Sequence, residues 1–492
     1  MNFLDELRAL GRRQAVQLTA LGGLFGLFLY FSLATRGYLL DPDIWWHLKV
    51  GDWIVVHKAV PWTGILSRTA ANKPWVAYSW GFEVILSRIY AWFGLVGFAY
   101  YGVLLGQMVS ASLFGVCYAI SGRFWRSWLL TLLGTLAFAY SLYPRPVFFS
   151  MALFAVMLYM MLRAKRSGRI AILYWLPLMF WVWANLHIQF IYGLATLGLM
   201  TTVELALYLA ARLGWPLTGV EGPSLPLGKL TGILVACFAA ACIGPYGYYL
   251  FIVVAKYSKA TQTYFVIQEL QAPSFVNYTY FIFLYVILAA FYAVGKRERV
   301  DVFRLALLTV ATVLSFRTVR DAWFAAIPAV LFLADVPQRE DGVTERIGMP
   351  TFAGFTAAMA LFAVLLGSNM GFTARGIDYM VSQEYPVDAS NFVRRLHPPG
   401  PLYNDFNWGG FLTWYMPDYP VEVDGRNDLY GDEFVAKHII FNSGDKTEGD
   451  ERLDESNVLL LSANSSLAKL LKQDKRFQLV FEDRLADVYV KN

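Results

Sequence analysis

Charge is what this sequence has least of: Asp, Glu, Lys and Arg together make up 16% of its 492 residues, while 57% are hydrophobic. Soluble globular chains carry about 25% charged residues. With a mean hydropathy of +0.46, that scarcity excludes an ordinary water-soluble enzyme, and nucleic acid is not among the expected partners. Cysteine is scarce as well. The three present, Cys117, Cys237 and Cys242, all fall inside apolar runs, so they read as small hydrophobes and no disulfide framework is indicated. The basic lead "MNFLDELRALGRRQAVQ" precedes an apolar run of about 18 residues without a convincing small-residue cleavage site, so a retained first helix is expected.

What is there is a succession of apolar runs close to the ~20 residues that span a bilayer. They place helices at about Leu18 to Leu40, Trp92 to Ile120, Trp128 to Tyr143, Val147 to Leu162, Ile170 to Ala184 and Phe190 to Ala211. Five more follow at about Leu230 to Val254, Tyr278 to Val294, Val302 to Phe316, Ala322 to Ala334 and Phe352 to Leu366. The fold class is therefore a polytopic α-helical membrane protein of about 11 transmembrane helices. With a cytoplasmic N-terminus, the cytoplasmic segments carry Arg8, Arg12 and Arg13, then Arg123 and Arg126, "RAKRSGR", Arg212 and Lys229, "GKRERVD" and "PQREDGVTER". Nearly every even-numbered turn is basic, as the positive-inside rule requires.

That orientation places a sparing set of polar residues on the opposite side. The first outer loop, 41–91, holds Asp41, Asp43, His47 and Glu83; the second has Arg145 in "YPRP"; the third is "WANLHIQF" with Asn185, His187 and Gln189. The fourth contains Gln268 and Glu269, and the fifth is "FRTVRDAW" with Arg317, Arg320 and Asp321. Polar groups near apolar helix ends are costly to bury and mark cavities. Plainer roles stand beside that one. Asp43 suits the N-cap of an interfacial helix, and Pro42 biases Asp41 to an extended backbone that leaves its carboxylate outside the cap. Trp45, Trp46 and Trp53 read as interfacial anchors, and His187 as a satisfied polar residue at a helix end. Arg145, Arg317 and Arg320 could snorkel to headgroups, yet guanidinium groups are preferred partners of phosphate oxygens.

From about Gly371 the chain becomes polar and turn-rich. "PLYND", "VEVDGR", "NVLLLS", "FQLVFED" and "ADVYVKN" read as strands and "SSLAKLLKQDKRF" as an amphipathic helix opening on a serine cap. Residues 371–492 are thus expected to form a small extracytoplasmic α/β domain after a membrane module at 1–370. It holds no nucleophile elbow, phosphate-binding glycine loop or zinc site, and "DGR" and "NWGG" read as turn chemistry.

The first-loop stretch "DIWWHLK", Asp43 to Lys49, resembles the motif of the GT-C superfamily of polytopic glycosyltransferases, which includes oligosaccharyltransferase catalytic subunits. More narrowly, "DPDIWWHLKVGDWIV", "KPWVAYSWGFEV", "WANLHIQF" and "VDGRNDLYG" look like a group of bacterial membrane proteins placed near the protein mannosyltransferases. The resemblance covers most of the chain, though only the first-loop aspartate belongs to a motif with assigned chemistry. A "WWDYG" motif and a second acidic pair in a later outer loop are both missing, which favours transfer of a single sugar over that of a whole oligosaccharide.

The resemblance implies an inner-membrane enzyme moving a sugar from a polyprenyl-phosphate-linked donor to a lipid, glycan or protein acceptor on the extracytoplasmic face. Asp43 would be the catalytic base, with Asp41 as runner-up or as a metal ligand beside it, should a divalent cation such as Mg or Mn take part. Arg145, Arg317 and Arg320 would hold the donor phosphate, and His187 or Glu269 the acceptor or sugar, with His47, Glu83, Asn185 and Gln189 completing the polar set. Two other classes stay open: a transporter or flippase of lipid-linked sugars, against which stands the absence of a hydropathy repeat, and a non-catalytic membrane scaffold with an outer binding domain.

Overall fold

A computed structural model describes residues 13–27, 41–138, 145–258, 262–276, 279–336, 349–369, 371–445 and 450–492. Arg8, Arg12, the second half of the first expected span, Tyr143 and Pro144 of "YPRP", and "PQREDGVTER" lie outside the described residues. The chain packs into two compact units. The first comprises Met1–Thr35, Gly102–Gly244 and Gln271–Met370, the second Arg36–Tyr101, Pro245–Leu270 and Gly371–Asn492.

The first unit is helical. Its centre is the helix Ala322–Ala334, buried along nearly its whole length, as a segment that is apolar on every side must be. Packed on it are Phe124–Ala137, Val147–Ser167, Thr279–Gly295 and Val302–Arg317. Asp301 caps the last of these, accepting hydrogen bonds from the backbone N–H groups of Phe303 and Arg304, and also receives Lys165 Nζ at 2.7 Å. Asp335 gathers Arg304, Arg297 and Arg166. Burial alone would raise the Asp335 carboxyl, but these three guanidinium groups outweigh it and hold the pKa below its ordinary value. Part of the basic charge in "RAKRSGR" and "GKRERVD" is therefore tied into ion pairs that pin helix ends.

Three helices among the described residues are long and apolar enough to cross a membrane, Trp80–Ser121, Val147–Ser167 and Phe190–Arg212, or four if the bent pair Ala357–Asn369 and Ala374–Glu384 is one span. The chain is thus read as an integral membrane protein. Several expected spans take another form. Leu230 to Val254 divides into Leu227–Ala241 and Tyr249–Tyr257, separated by the "IGPYG" stretch that contains Pro245. Ile170 to Ala184 opens as a 3-10 turn, Ile170–Trp175, before Leu176–Leu186 continues as α-helix. Of the span expected from Trp128 to Tyr143, the described part lies in the helix Phe124–Ala137, and residues 139–144 fall outside the described residues.

The second unit holds a four-stranded sheet in the order β1 (Leu402–Asn404), β2 (Val458–Ser462), β4 (Ala486–Lys491), β3 (Phe477–Glu482). The β1–β2 pair is parallel and the other two pairs are antiparallel. The serine cap expected for the last helix is present: Ser465 accepts from the Ala468 N–H ahead of Ser466–Leu471. "VEVDGR" is not a strand. Only Val421 makes a bridge, to Ser67, because the backbone of this segment is held by side chains instead. The Asn404 amide donates to Val423 O and accepts from Glu422 N–H, and Asp424 accepts from Arg426 N–H.

Candidate functional site

The helix Asp43–His57 belongs to the second unit, and the cap expected at Asp43 falls to Asp41 instead. Pro42 already has helical angles, φ −56° and ψ −27°, as suits a proline pre-set for the first helical position. Asp41 thereby becomes the cap. Its Oδ1 accepts the Asp43 N–H at 3.0 Å and the side chain is 1% exposed. Asp43 caps nothing. It is half-buried, and its Oδ1 accepts the Trp46 Nε1–H at 3.1 Å.

Glycine lets the rest of the cluster close in. A Cβ at Gly425 would stand 1.7 Å from Asp43 Oδ1, so the carboxylate lies directly against the backbone of the "DGR" turn. At Gly51 a Cβ would come within 2.0 Å of the Glu83 carbonyl oxygen. His47 shares that helix face one turn earlier, and its Nδ1 meets Glu83 Oε1 at 3.0 Å, both residues buried. Ser87 donates to Asp52 at 2.6 Å and locks the same crossing.

Around this pair stand residues that sequence reasoning had passed over. Arg426 is 1% exposed and pairs bidentately with Asp424, Nε to Oδ1 at 2.8 Å and Nη2 to Oδ2 at 2.6 Å. Tyr430 O–H donates to the same carboxylate. The guanidinium carbon lies 4.9 Å from the Trp75 ring and 6.0 Å from that of Trp46. Asp428 accepts from Trp75 Nε1–H at 3.0 Å and from Tyr257 O–H at 3.4 Å. Burial pushes its carboxyl up to about 6, against the pull of Trp75 and Arg426. Glu83 Oε2 and Arg426 Nη1 are both buried without a hydrogen-bond partner among the described residues. "DGR" is thus a buried ion pair, and "VDGRNDLYG" supplied the one available signal: three charges at alternate positions in a chain that has few. The tryptophans differ from expectation too. Trp45 is fully buried against Tyr385, Phe411 and Trp414, and Trp46 is 5% exposed, so neither is an interfacial anchor. Trp53 stacks on His57. Glu269 sits half-buried on the 3-10 turn Gln268–Leu270 of this unit.

The remaining candidates lie in the first unit. His187 ends the helix Leu176–Leu186, and its Nδ1 is 2.8 Å from Ser150 Oγ, which also receives the Trp183 indole N–H at 2.7 Å. Burial, then the nearby charge of Arg320, hold the imidazole pKa well below its ordinary value. Gln189 donates to Asp321 at 3.1 Å, bringing "HIQ" against the turn Val319–Asp321 that carries Arg320. Asn185 is occupied structurally, donating to Trp181 O and Ile243 O. Arg145 and Arg320 are half-buried and Arg317 is exposed. Among the described residues no group of three or more His, Cys, Asp or Glu side chains could hold a metal ion. Asp41 and Asp43 each have one carboxylate oxygen on a backbone or indole N–H, an arrangement that ligating carboxylates also adopt.

No family model matches the chain, and no curated protein does. Among solved structures, the crystal structure of ArnT from Cupriavidus metallidurans bound to undecaprenyl phosphate is similar with a TM-score of 0.47 and 13% sequence identity, over 95% of this chain and 98% of that one.

Proposed function

We propose that the protein is a membrane glycosyltransferase that moves a sugar from a polyprenyl-phosphate-linked donor to an acceptor on the extracytoplasmic face, with Asp43 as general base. The observation that carries the reading is the division of labour at the start of the helix Asp43–His57. Asp41 is buried and spent as the cap, whereas Asp43 is only half-buried, with its carboxylate pressed against Gly425. In direct displacement that carboxylate takes the acceptor hydroxyl's proton as the acceptor oxygen bonds to the anomeric carbon. The bond from that carbon to the phosphate oxygen breaks, and polyprenyl phosphate leaves with the electron pair. His47 and Glu83, tied to each other, hold the helix in place, and no step is routed through a metal. For the donor's phosphate the reading names Arg145, Arg317 and Arg320, whose planar guanidinium groups match phosphate oxygens. Lys at any of the three keeps the charge but loses the fork, so donor binding should weaken while folding survives; unchanged binding in all three Lys variants removes that role.

Turnover tests the whole. Purified protein in proteoliposomes, given a polyprenyl-phosphate sugar and a membrane extract as acceptor source, should release polyprenyl phosphate in step with sugar transfer. Movement of the donor across the bilayer without cleavage would make the protein a transporter, and inertness toward every such donor would leave the scaffold reading.

A further inference from the structure

The hydrogen bonds around His187 have a fixed direction. The Trp183 indole N–H can only donate, so Ser150 Oγ is the acceptor in the 2.7 Å contact between them. Ser150 is fully buried, and among the described residues the one acceptor within reach of its hydroxyl hydrogen is His187 Nδ1, at 2.8 Å. Were Nδ1 protonated, both that hydrogen and the hydroxyl hydrogen would compete for the same space, and the hydroxyl would be left unpaired in the interior, at a cost of about 1–3 kcal/mol. Trp183 therefore makes Ser150 a donor, Ser150 makes Nδ1 an acceptor, and the ring's remaining hydrogen must sit on Nε2. None of the described residues accepts it. The charge of Arg320 acts on this ring, while Gln189, two residues on, donates its amide N–H to Asp321 and has its Oε1 buried without a partner among the described residues. A neutral N–H donor beside a guanidinium suits a ligand atom that only accepts and carries negative charge.

We infer that His187 is a neutral hydrogen-bond donor, through Nε2–H, to a phosphate oxygen, and that Ser150 and Trp183 are positioning residues that set this tautomer. The inference rests on the glycosyltransferase reading only for the source of the phosphate, a polyprenyl-phosphate donor rather than a lipid headgroup.

The chain has five histidines, few enough for assignment by difference. Full-length protein with 15N-labelled histidine, reconstituted in liposomes, would be compared by solid-state NMR with H187Q to identify the His187 signals. The expected signature is a protonated Nε2 and a bare Nδ1 in the parent, with the bare Nδ1 lost or mixed in S150A and W183F. Undecaprenyl phosphate should shift the Nε2 signal. Its affinity should fall roughly ten- to a hundredfold in H187A but stay within a few-fold in H187Q, whose amide N–H can reach the Nε2 position. A protonated Nδ1 in the parent overturns the inference, as does H187A binding undecaprenyl phosphate like the parent. A shift given equally by phosphatidylglycerol or inorganic phosphate keeps the donor role and moves its source away from the glycosyltransferase reading. If no phosphate compound perturbs the signal, the inference falls, while turnover of a polyprenyl-phosphate sugar still decides the enzyme reading independently.

Discussion

Replacing Asp43 by Asn removes its charge while keeping the oxygen that holds the Trp46 N–H. The Asn Oδ1 can still accept the Trp46 N–H and occupies the same volume against Gly425. What is lost is the charge on one hydrogen bond, about 1 kcal/mol, and a carboxylate in the first helical turn, about 0.3–1 kcal/mol. The cap is untouched, since Asp41 makes it. D43N should therefore extract and unfold much like the parent, down by ~1–2 kcal/mol at most, yet transfer sugar about 10²- to 10⁴-fold more slowly, as befits a lost general base. D41N should show the opposite economy, keeping an acceptor for the Asp43 N–H and most of the turnover, whereas D41A loses the cap and about 1 kcal/mol. The assay is release of polyprenyl phosphate in proteoliposomes, paired with thermal unfolding of the same preparations. Parent-like turnover by D43N, with D41N inactive, would show that the capping residue carries the chemistry and refute the assignment.

Gly425→Ala perturbs the same carboxylate without changing it: a Cβ 1.7 Å from Asp43 Oδ1 must displace it, and turnover should fall on the order of 10²-fold, a parent-like rate showing that the placement of Asp43 does not matter. Single-cysteine labelling of intact cells should mark the 41–91 loop and residues beyond 371 but not "RAKRSGR"; labelling of the latter by an impermeant reagent would invert the topology. For Asp428, raised to about 6 from its ordinary 3.8, the folded state holds the extra proton between about pH 4 and 6, so stability falls as pH rises through that window. D428N should remove this slope and be more stable than the parent above pH 6, by about 3 kcal/mol, while matching it near pH 4; parallel stability profiles for the two proteins would show that Asp428 ionises freely.

Much of the helical layout was legible because an apolar run reports its own burial. Val147–Ser167, Phe190–Arg212, Val302–Arg317 and Ala322–Ala334 begin where hydropathy places them. It fails where a run is long enough but its backbone is not continuous. Leu230 to Val254 reads as one span by composition, yet "GPYG" interrupts it, and the pieces on either side fall in different units. The sheet strands were legible from alternation, and "VEVDGR" imitates that pattern while its alternating charges serve side-chain pairs rather than a solvated face.

The candidate site was legible only in part, and the reason is distance along the chain. Loop-by-loop reading finds Asp41, Asp43, His47 and Glu83 because they share one outer loop, but it cannot see that Gly425, some 380 positions later, is the surface against which Asp43 rests. Nor can hydropathy distinguish an anchor tryptophan from one like Trp46, whose ring carbon face meets Arg426 while its N–H holds a carboxylate. Capping was assigned from residue preference, which ranks Asp at either position equally well; the deciding fact is that Pro42 itself adopts helical angles, shifting the cap back to Asp41. In a chain this poor in charge, a buried arginine between two tryptophans costs too much to persist without its own counter-ion. The Asp424–Arg426 pair therefore marks where the second unit has concentrated its polar groups, beside the same helix start that the first-loop motif singles out.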